Sequence, residues 1–427
     1  MLLHSILRLL WSYPRFPEAE LLPGPYDVSS LVRYRLNGVC ATIQYPAVQG
    51  GSNKHTSSYW SADAVSGMAD YTKKPRVLLT PLEAARHPSP EALDPVSPPY
   101  GKWPVVLFSH GLAGCADMYT SLCRSLASLG YVVVALEHED GSGVHARTHD
   151  GKLVRYKWPD DSPYSREKVT KFREPFLQQR VDELNRVLIG LSAFNATTES
   201  ANANDDKQLR KLESVLKLID VGNTVVVGHS FGAATAVLAA QQLPSMSGTC
   251  SSGGNLIHRR SSALRMVVIC DPWAFSLPDE TLKQATRAAP SVEPHESSGS
   301  STPALCLMSG EWTRNKERFA VDALLRAADE HGALLGAYEM PGTLHQSISD
   351  TPLWFPKFVT KRLRMRGPDE VPPRTHQVAA EAIHEHIRSV LASPMQESSS
   401  DNVASVLARY PTELREYADW VATEIRQ

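Results

Sequence analysis

Beyond about residue 100 the chain alternates two kinds of apolar pattern. Val105–Phe108, "YVVVALEH", Asn223–Val227, Met266–Cys270, Ala304–Met308 and Leu334–Met340 are short apolar runs, as strands buried on both faces of a parallel sheet must be. Between them, apolar positions recur every three or four residues. "MYTSLCRSLASLG" places Tyr119, Leu122, Leu126 and Leu129 on one helical face, with Gly130 as a stop. "PFLQQRVDELNRVLIGL" and "LRKLESVLKLI" carry the same helical spacing. Strand, loop, helix and strand in succession read as a right-handed βαβ unit. The pattern therefore predicts an α/β chain with a mostly parallel central sheet and helices on both faces.

Around this core the pattern weakens. Residues 1–100 read as an irregular N-terminal segment packed on the core, with short strands at Val32–Leu36 and Ala41–Tyr45. Residues 101–365 form the core, with polar insertions near 195–206, 245–262 and 291–303. Residues 366–427 read as a C-terminal extension of two amphipathic helices. At the N-terminus Leu3, Ile6, Leu7, Leu10 and Trp11 form an apolar stripe, broken by His4 and Arg8. It predicts a helix packed on the body, with a shallow membrane anchor as the alternative. The absence of a small-residue cleavage site argues against a signal peptide, and Asn195-Ala196-Thr197 would accept a glycan only in a secreted chain.

The 427 residues carry 44 basic and 46 acidic side chains, so nothing advertises nucleic acid as a partner. Cys40, Cys115, Cys123, Cys250, Cys270 and Cys306 show neither a CxxC pair nor a dense framework, which suggests reduced thiols and a cytoplasmic location. Oligomeric state is not encoded in any pattern here.

The candidate chemistry centres on "VVVGHSFGAATAVLAA". β-Branched residues lead into Gly228-His229-Ser230-Phe231-Gly232, and Ala233, Ala234, Ala236 and Ala239 suit a helix packed closely on a sheet. This strand, Gly-x-Ser-x-Gly and helix sequence predicts the nucleophile elbow of an α/β-hydrolase fold, with Ser230 as nucleophile. A serine hydroxyl needs a base, and the base needs an orienting acid. In this fold their order is serine, acid, histidine, each on a loop after a strand. Asp271 ends the strand "RMVVIC", with Asp279 and Glu280 as rivals that do not abut it. His345 stands just after Leu334–Met340. His331, His295, His376, His384 and His386 fall in a helix, a loop and a polar tail. His145 and His149, four apart, lack a third metal ligand with motif spacing and read as a solvated loop. His229 reads as packing away from the reacting centre. For the oxyanion hole, one amide is expected from Phe231 and the other from the loop "SHGLAG", with Leu112 the best candidate. Trp273, Phe275, Trp354 and Phe355 are candidates for an apolar wall, or for the core. No step calls for a cofactor or metal.

With those residues in place, the chain resembles the platelet-activating factor acetylhydrolase family, the α/β-hydrolase type with plasma and intracellular forms. The matching stretches are "FSHGLAG", "SLASLGYVVVALEHEDGS", "GHSFGAAT", "DPWAF" and "LHQSISD". The family elbow often reads Gly-Gly after Ser-Phe, where this chain has Gly232-Ala233. The resemblance implies a calcium-independent serine lipase that removes short or oxidised sn-2 acyl chains from phosphocholine lipids, a 1-alkyl-2-acetylglycerophosphocholine esterase. Its substrate would be a phospholipid, met at a lipid aggregate or by peripheral membrane contact. A carboxylesterase acting on soluble esters or polyesters, and an inactive binding module on the same fold, are the alternatives.

Overall fold

The computed structural model describes residues 12–18, 21–49, 56–159, 165–192, 205–243, 264–288, 301–392 and 399–417. The N-terminal stripe Leu3–Trp11, the Asn195 sequon, His295 and most of the three polar insertions lie outside the described residues.

The strands are β1 (Asp27–Leu36), β2 (Val39–Ala47), β3 (Trp103–Ser109), β4 (Val132–Leu136), β5 (His145–Arg147), β6 (Leu153–Arg155), β7 (Ile219–His229), β8 (Leu264–Cys270), β9 (Ala304–Ser309), β10 (Leu334–Met340) and β11 (Arg415–Glu416). The longer helices are α1 (Ala62–Thr72), α2 (Thr120–Ser128), α3 (Arg166–Ser192), α4 (Asp205–Leu216), α5 (Phe231–Gln242), α6 (Arg318–Glu330), α7 (Pro372–Ala392) and α8 (Ser399–Arg409). Nine strands form one sheet in the order β1-β2-β4-β3-β7-β8-β9-β10-β11. β4, β3, β7, β8, β9 and β10 run parallel. β1, β2 and β11 add antiparallel edges. This is an α/β-hydrolase fold, a mostly parallel sheet covered on both faces.

Side chains alternate across the sheet because successive Cβ atoms in a strand point to opposite faces. Val226 of β7 and Val105 and Leu107 of β3 join one core layer with α3, α5 and α6. Val225, Val227, Val106 and Phe108 join the other, with α1, α2 and α7. Each such fully buried aliphatic contributes about 1.5–3 kcal/mol. In α5 the alanines 233, 234, 236, 239 and 240 are all buried. Their small side chains let this helix lie close against the sheet.

Several elements depart from the sequence pattern. Within the first hundred residues, β1 and β2 join the main sheet. α3 starts at Arg166 and carries Pro175 in its interior. Proline suits a first turn and removes one interior hydrogen bond, so the pattern placed the helix start there. β11 pairs Glu416 with Tyr338 and Arg415 with Glu339, and the Arg415 and Glu339 side chains meet at 2.7 Å. Helix α7 is no polar tail. It buries His376 on Ser349 O (3.1 Å) and His386 on Tyr338 Oη (3.1 Å). His145 is likewise buried, with its ring 3.3 Å from Ser61 Oγ, whereas His149 is exposed. The described cysteines are all free. No helix among the described residues is long and apolar enough to cross a membrane.

Candidate active site

β7 ends at His229, and Ser230 turns the chain into α5 with φ 57° and ψ −114°. A non-glycine residue in that region costs about 1–3 kcal/mol. The corner is held by Ser230 N–H on Cys270 O (2.9 Å), while Ser230 O accepts from Ala233 N, Ala234 N and Trp273 N. Both flanking glycines are sterically required. A Cβ on Gly228 would stand 2.0 Å from Gly232 O, and one on Gly232 would stand 2.0 Å from Ser109 O. The serine itself is 8% exposed.

Asp271 follows β8 directly and is fully buried. Its Oδ1 accepts from Ser309 N (2.5 Å), and its Oδ2 from Ser309 Oγ (2.7 Å). Oδ2 also meets His345 Nδ1 at 3.0 Å. With Nδ1–H donating to this carboxylate, the imidazole tautomer keeps its lone pair at Nε2. The rivals do not reach this position: Asp279 and Glu280 are exposed, and Asp279 pairs with Arg166.

His345 leads the turn after β10 and is held on three sides. Its backbone N–H donates to Glu311 Oε2 (2.9 Å). Trp312 stacks on the ring, with centroids 4.2 Å apart and planes at 16°. The His229 ring lies 4.6 Å away. Ser230 Oγ makes no hydrogen bond to His345 among the described residues; such contacts commonly tighten only when substrate is bound.

His229 does more than pack. Its Nδ1 lies 2.9 Å from Tyr119 Oη, and its Nε2 lies 2.9 Å from His345 O. A carbonyl accepts only, so Nε2 carries the proton and Nδ1 accepts from the phenol. Tyr119 Oη in turn accepts from Gly111 N–H (3.1 Å). One relay thus joins the glycine loop, the elbow and the histidine loop. Burial, and then the neighbouring His345, holds His229 well below the usual imidazole range. A neutral His229 places no positive charge beside the His345 ring.

The loop Ser109–Gly114 comes close enough that a Cβ on Gly111 would lie 3.2 Å from Ser230 Cβ. Ala113 N–H is taken up by Ser142 O (2.7 Å) and Gly114 N–H by Gly111 O (3.2 Å). No hydrogen bond occupies the Leu112 amide among the described residues, and Phe231 opens α5 directly after Ser230. Beneath this loop, fully buried Arg180 donates to His110 O (2.6 Å), to Asp140 Oδ2 (2.9 Å) and to Ser142 Oγ (2.6 Å). Its guanidinium lies 4.8 Å from the Phe231 ring centroid. Burial pushes the Asp140 carboxyl up, but Arg180 and its other donors outweigh that and hold it below the usual range.

The aromatic candidates separate. Trp273 is half-buried, 5.9 Å from the Phe231 ring, and donates to Glu317 Oε2 (2.8 Å). Phe275 packs edge-on against Phe319 at 6.0 Å. Trp354 is buried in the other layer, against Trp60 at 5.0 Å and with Nε1 on Tyr59 Oη at 3.2 Å. Half-buried Phe355 packs in that layer too. Sequence reasoning missed Ser309, Trp312, Tyr119 and Arg180. "MSGEW", a polar turn after a buried strand, was the available signal for the first two. Donor atoms of His229, Asp271 and His345 gather within 4.8 Å of one another. Of these, both ring nitrogens of His229, Asp271 Oδ2 and His345 Nδ1 are engaged in the hydrogen bonds given above.

A model of the family described as platelet-activating factor acetylhydrolase, isoform II, matches residues 21–402. A putative phospholipase A2 from Schizosaccharomyces pombe is 25% identical over 308 residues, which are 62% of this chain and 63% of that protein. The platelet-activating factor acetylhydrolase of Gallus gallus is 29% identical over 154 residues, 33% of this chain and 35% of its own length. That of Cavia porcellus is 26% identical over 189 residues, 42% and 37% respectively. The chain thus spans less than two thirds of each of these relatives. A solved structure, a ferulic acid esterase from Streptomyces cinnamoneus, aligns over 88% of this chain and 92% of its own at 18% identity and a TM-score of 0.48.

Proposed function

We propose, for a chain that belongs to the platelet-activating factor acetylhydrolase family, isoform II, the hydrolysis of short or oxidised sn-2 acyl chains of phospholipids through an acyl-serine. Ser230 Oγ attacks the ester carbonyl while His345 Nε2 takes its proton. Asp271 holds the imidazole in the required tautomer and stabilises the imidazolium that forms. The Leu112 and Phe231 amides receive the oxygen as it becomes an alkoxide. Collapse breaks the ester bond, and His345 returns the proton to the departing lysolipid oxygen. Water, deprotonated by His345, then cleaves the acyl-enzyme and frees Ser230.

The observation that carries this reading is the His345–Asp271 hydrogen bond of 3.0 Å beside the elbow, with the His345 carbonyl tied to the residue before Ser230. The relatives named as acetylhydrolases and phospholipase support the choice of substrate.

The test is an acyl-length series at sn-2, from acetyl to palmitoyl, on protein whose serine is titrated with a fluorophosphonate. Turnover that falls steeply with chain length is expected. Turnover of soluble esters alone would replace this reading with a general carboxylesterase, and a protein that takes no label would be a binding module.

A further inference from the structure

Arg173 is a buried cation with no anion beside it among the described residues. On α3 it precedes Arg180 by seven residues, two turns along one helical face. Both guanidinium groups lie over the ring of Phe231, Arg180 at 4.8 Å and Arg173 at 6.0 Å. Arg180 is matched by Asp140. Arg173, only 3% exposed, has no carboxylate partner among the described residues. Its Nη2 donates to Tyr156 Oη at 2.7 Å, and its buried Nη1 has no acceptor. The rings of Phe172, Phe176 and Tyr156 stand 4.7, 5.2 and 5.4 Å away. Cation–π attraction offsets part of the cost of burying this charge, but it leaves Nη1 unused and the charge uncompensated among the described residues.

We infer that Arg173 receives the phosphate of the substrate's headgroup, beside the oxyanion site. The inference rests on the phospholipid reading above and assigns a residue to the part of the substrate that does not react. A guanidinium offers phosphate a planar fork of N–H donors, and Nη1 is the arm left over. The position fits the chemistry, because Arg173 packs on the same Phe231 whose amide faces the ester oxygen. Alongside it, Tyr71 and Trp158 stack at 5.1 Å and 9°, and Tyr156 sits edge-on to Trp158 at 4.9 Å. Trp158 is 53% exposed, so this aromatic group reaches the surface and would flank the headgroup beyond its phosphate. Lys73 Nζ already lies 5.8 Å from the Trp158 ring, so the ring accepts a cation.

A matched pair of substrates tests this: 1-alkyl-2-acetylglycerophosphocholine and 1-alkyl-2-acetylglycerol share the ester and differ in the phosphate headgroup. Arg173→Gln is expected to lower kcat/KM on the phospholipid about 10- to 100-fold, mainly through KM, as loss of a charge-assisted hydrogen bond does. Its kcat/KM on the neutral lipid and on p-nitrophenyl acetate should be unchanged. Arg173→Lys, which keeps the charge and loses the fork, should fall between, and it serves if the glutamine variant unfolds in a thermal melt. Equal losses on all three substrates, or no loss on any, would overturn the inference. Inorganic phosphate that competes as strongly as the phospholipid binds would mark a free-anion site and overturn the headgroup assignment. A parent protein that cleaves p-nitrophenyl acetate and the neutral lipid but never the phospholipid would instead overturn the functional reading itself.

Discussion

His229 Nε2 donates to the backbone carbonyl of His345 at 2.9 Å. The residue before the proposed nucleophile therefore holds the main chain of the proposed base, and through Tyr119 it also holds Gly111. A displacement of about 1 Å in such a constellation costs up to about 100-fold in rate. His229→Leu should lower kcat on p-nitrophenyl acetate about 10- to 100-fold while the protein still melts cooperatively. His229→Gln, which retains one donor, should recover part of that loss. Parent-like turnover in the leucine variant would show that the relay holds nothing.

The three proposed proton-transfer residues should behave as a unit. Ser230→Ala should lower kcat by about 10⁶ and abolish fluorophosphonate labelling. His345→Ala should cost nearly as much, and Asp271→Ala somewhat less. Substantial turnover in His345→Ala would remove His345 as the base.

Arg180 is expected to matter twice. Its loss leaves Asp140 buried and unpaired, which costs about 3–5 kcal/mol. It also releases the His110 carbonyl and hence the loop that carries Leu112. Arg180→Met should therefore be both less stable and slower. The double variant Arg180→Met/Asp140→Asn separates the two effects. Chemical denaturation should show partial recovery of stability, while kcat stays low. A joint recovery of both would make Arg180 a structural residue alone.

Asp350 ties the histidine loop to the start of α2. Its Oδ2 accepts from Thr120 N (2.9 Å) and Tyr59 Oη (3.0 Å), and its Oδ1 from Ser121 N (3.0 Å). Burial pushes its carboxyl up to about 7, against about 3.9 in an unfolded chain. The folded state thus binds this proton more tightly. The corresponding stability is complete below about pH 4 and is lost as pH rises through about 7. Asp350→Asn carries no such charge. The Tm difference between the variant and the parent should shift in the variant's favour between pH 5 and 8. A difference that stays constant across that range would show that Asp350 does not titrate there.

What could be read from the chain was whatever is local along it. Apolar runs marked the strands because a parallel strand buries both faces. Gly228 and Gly232 marked the elbow because any Cβ there would strike neighbouring backbone. Asp271 and His345 could be proposed as acid and base because the fold presents such groups at strand ends in a set order, and the structure brings the two side chains to 3.0 Å. The tertiary structure alone decided which distant groups meet. Arg180 and the carbonyl of His110 are 70 residues apart, and His229 and His345 are 116 apart. The same holds for Ser309 under Asp271, Trp312 on His345, and Trp354 turned into the far layer. No spacing encodes such pairs, because a hydrogen bond or a stacked ring depends on where the sheet brings two backbones together, and every strand of that sheet takes part in setting the position.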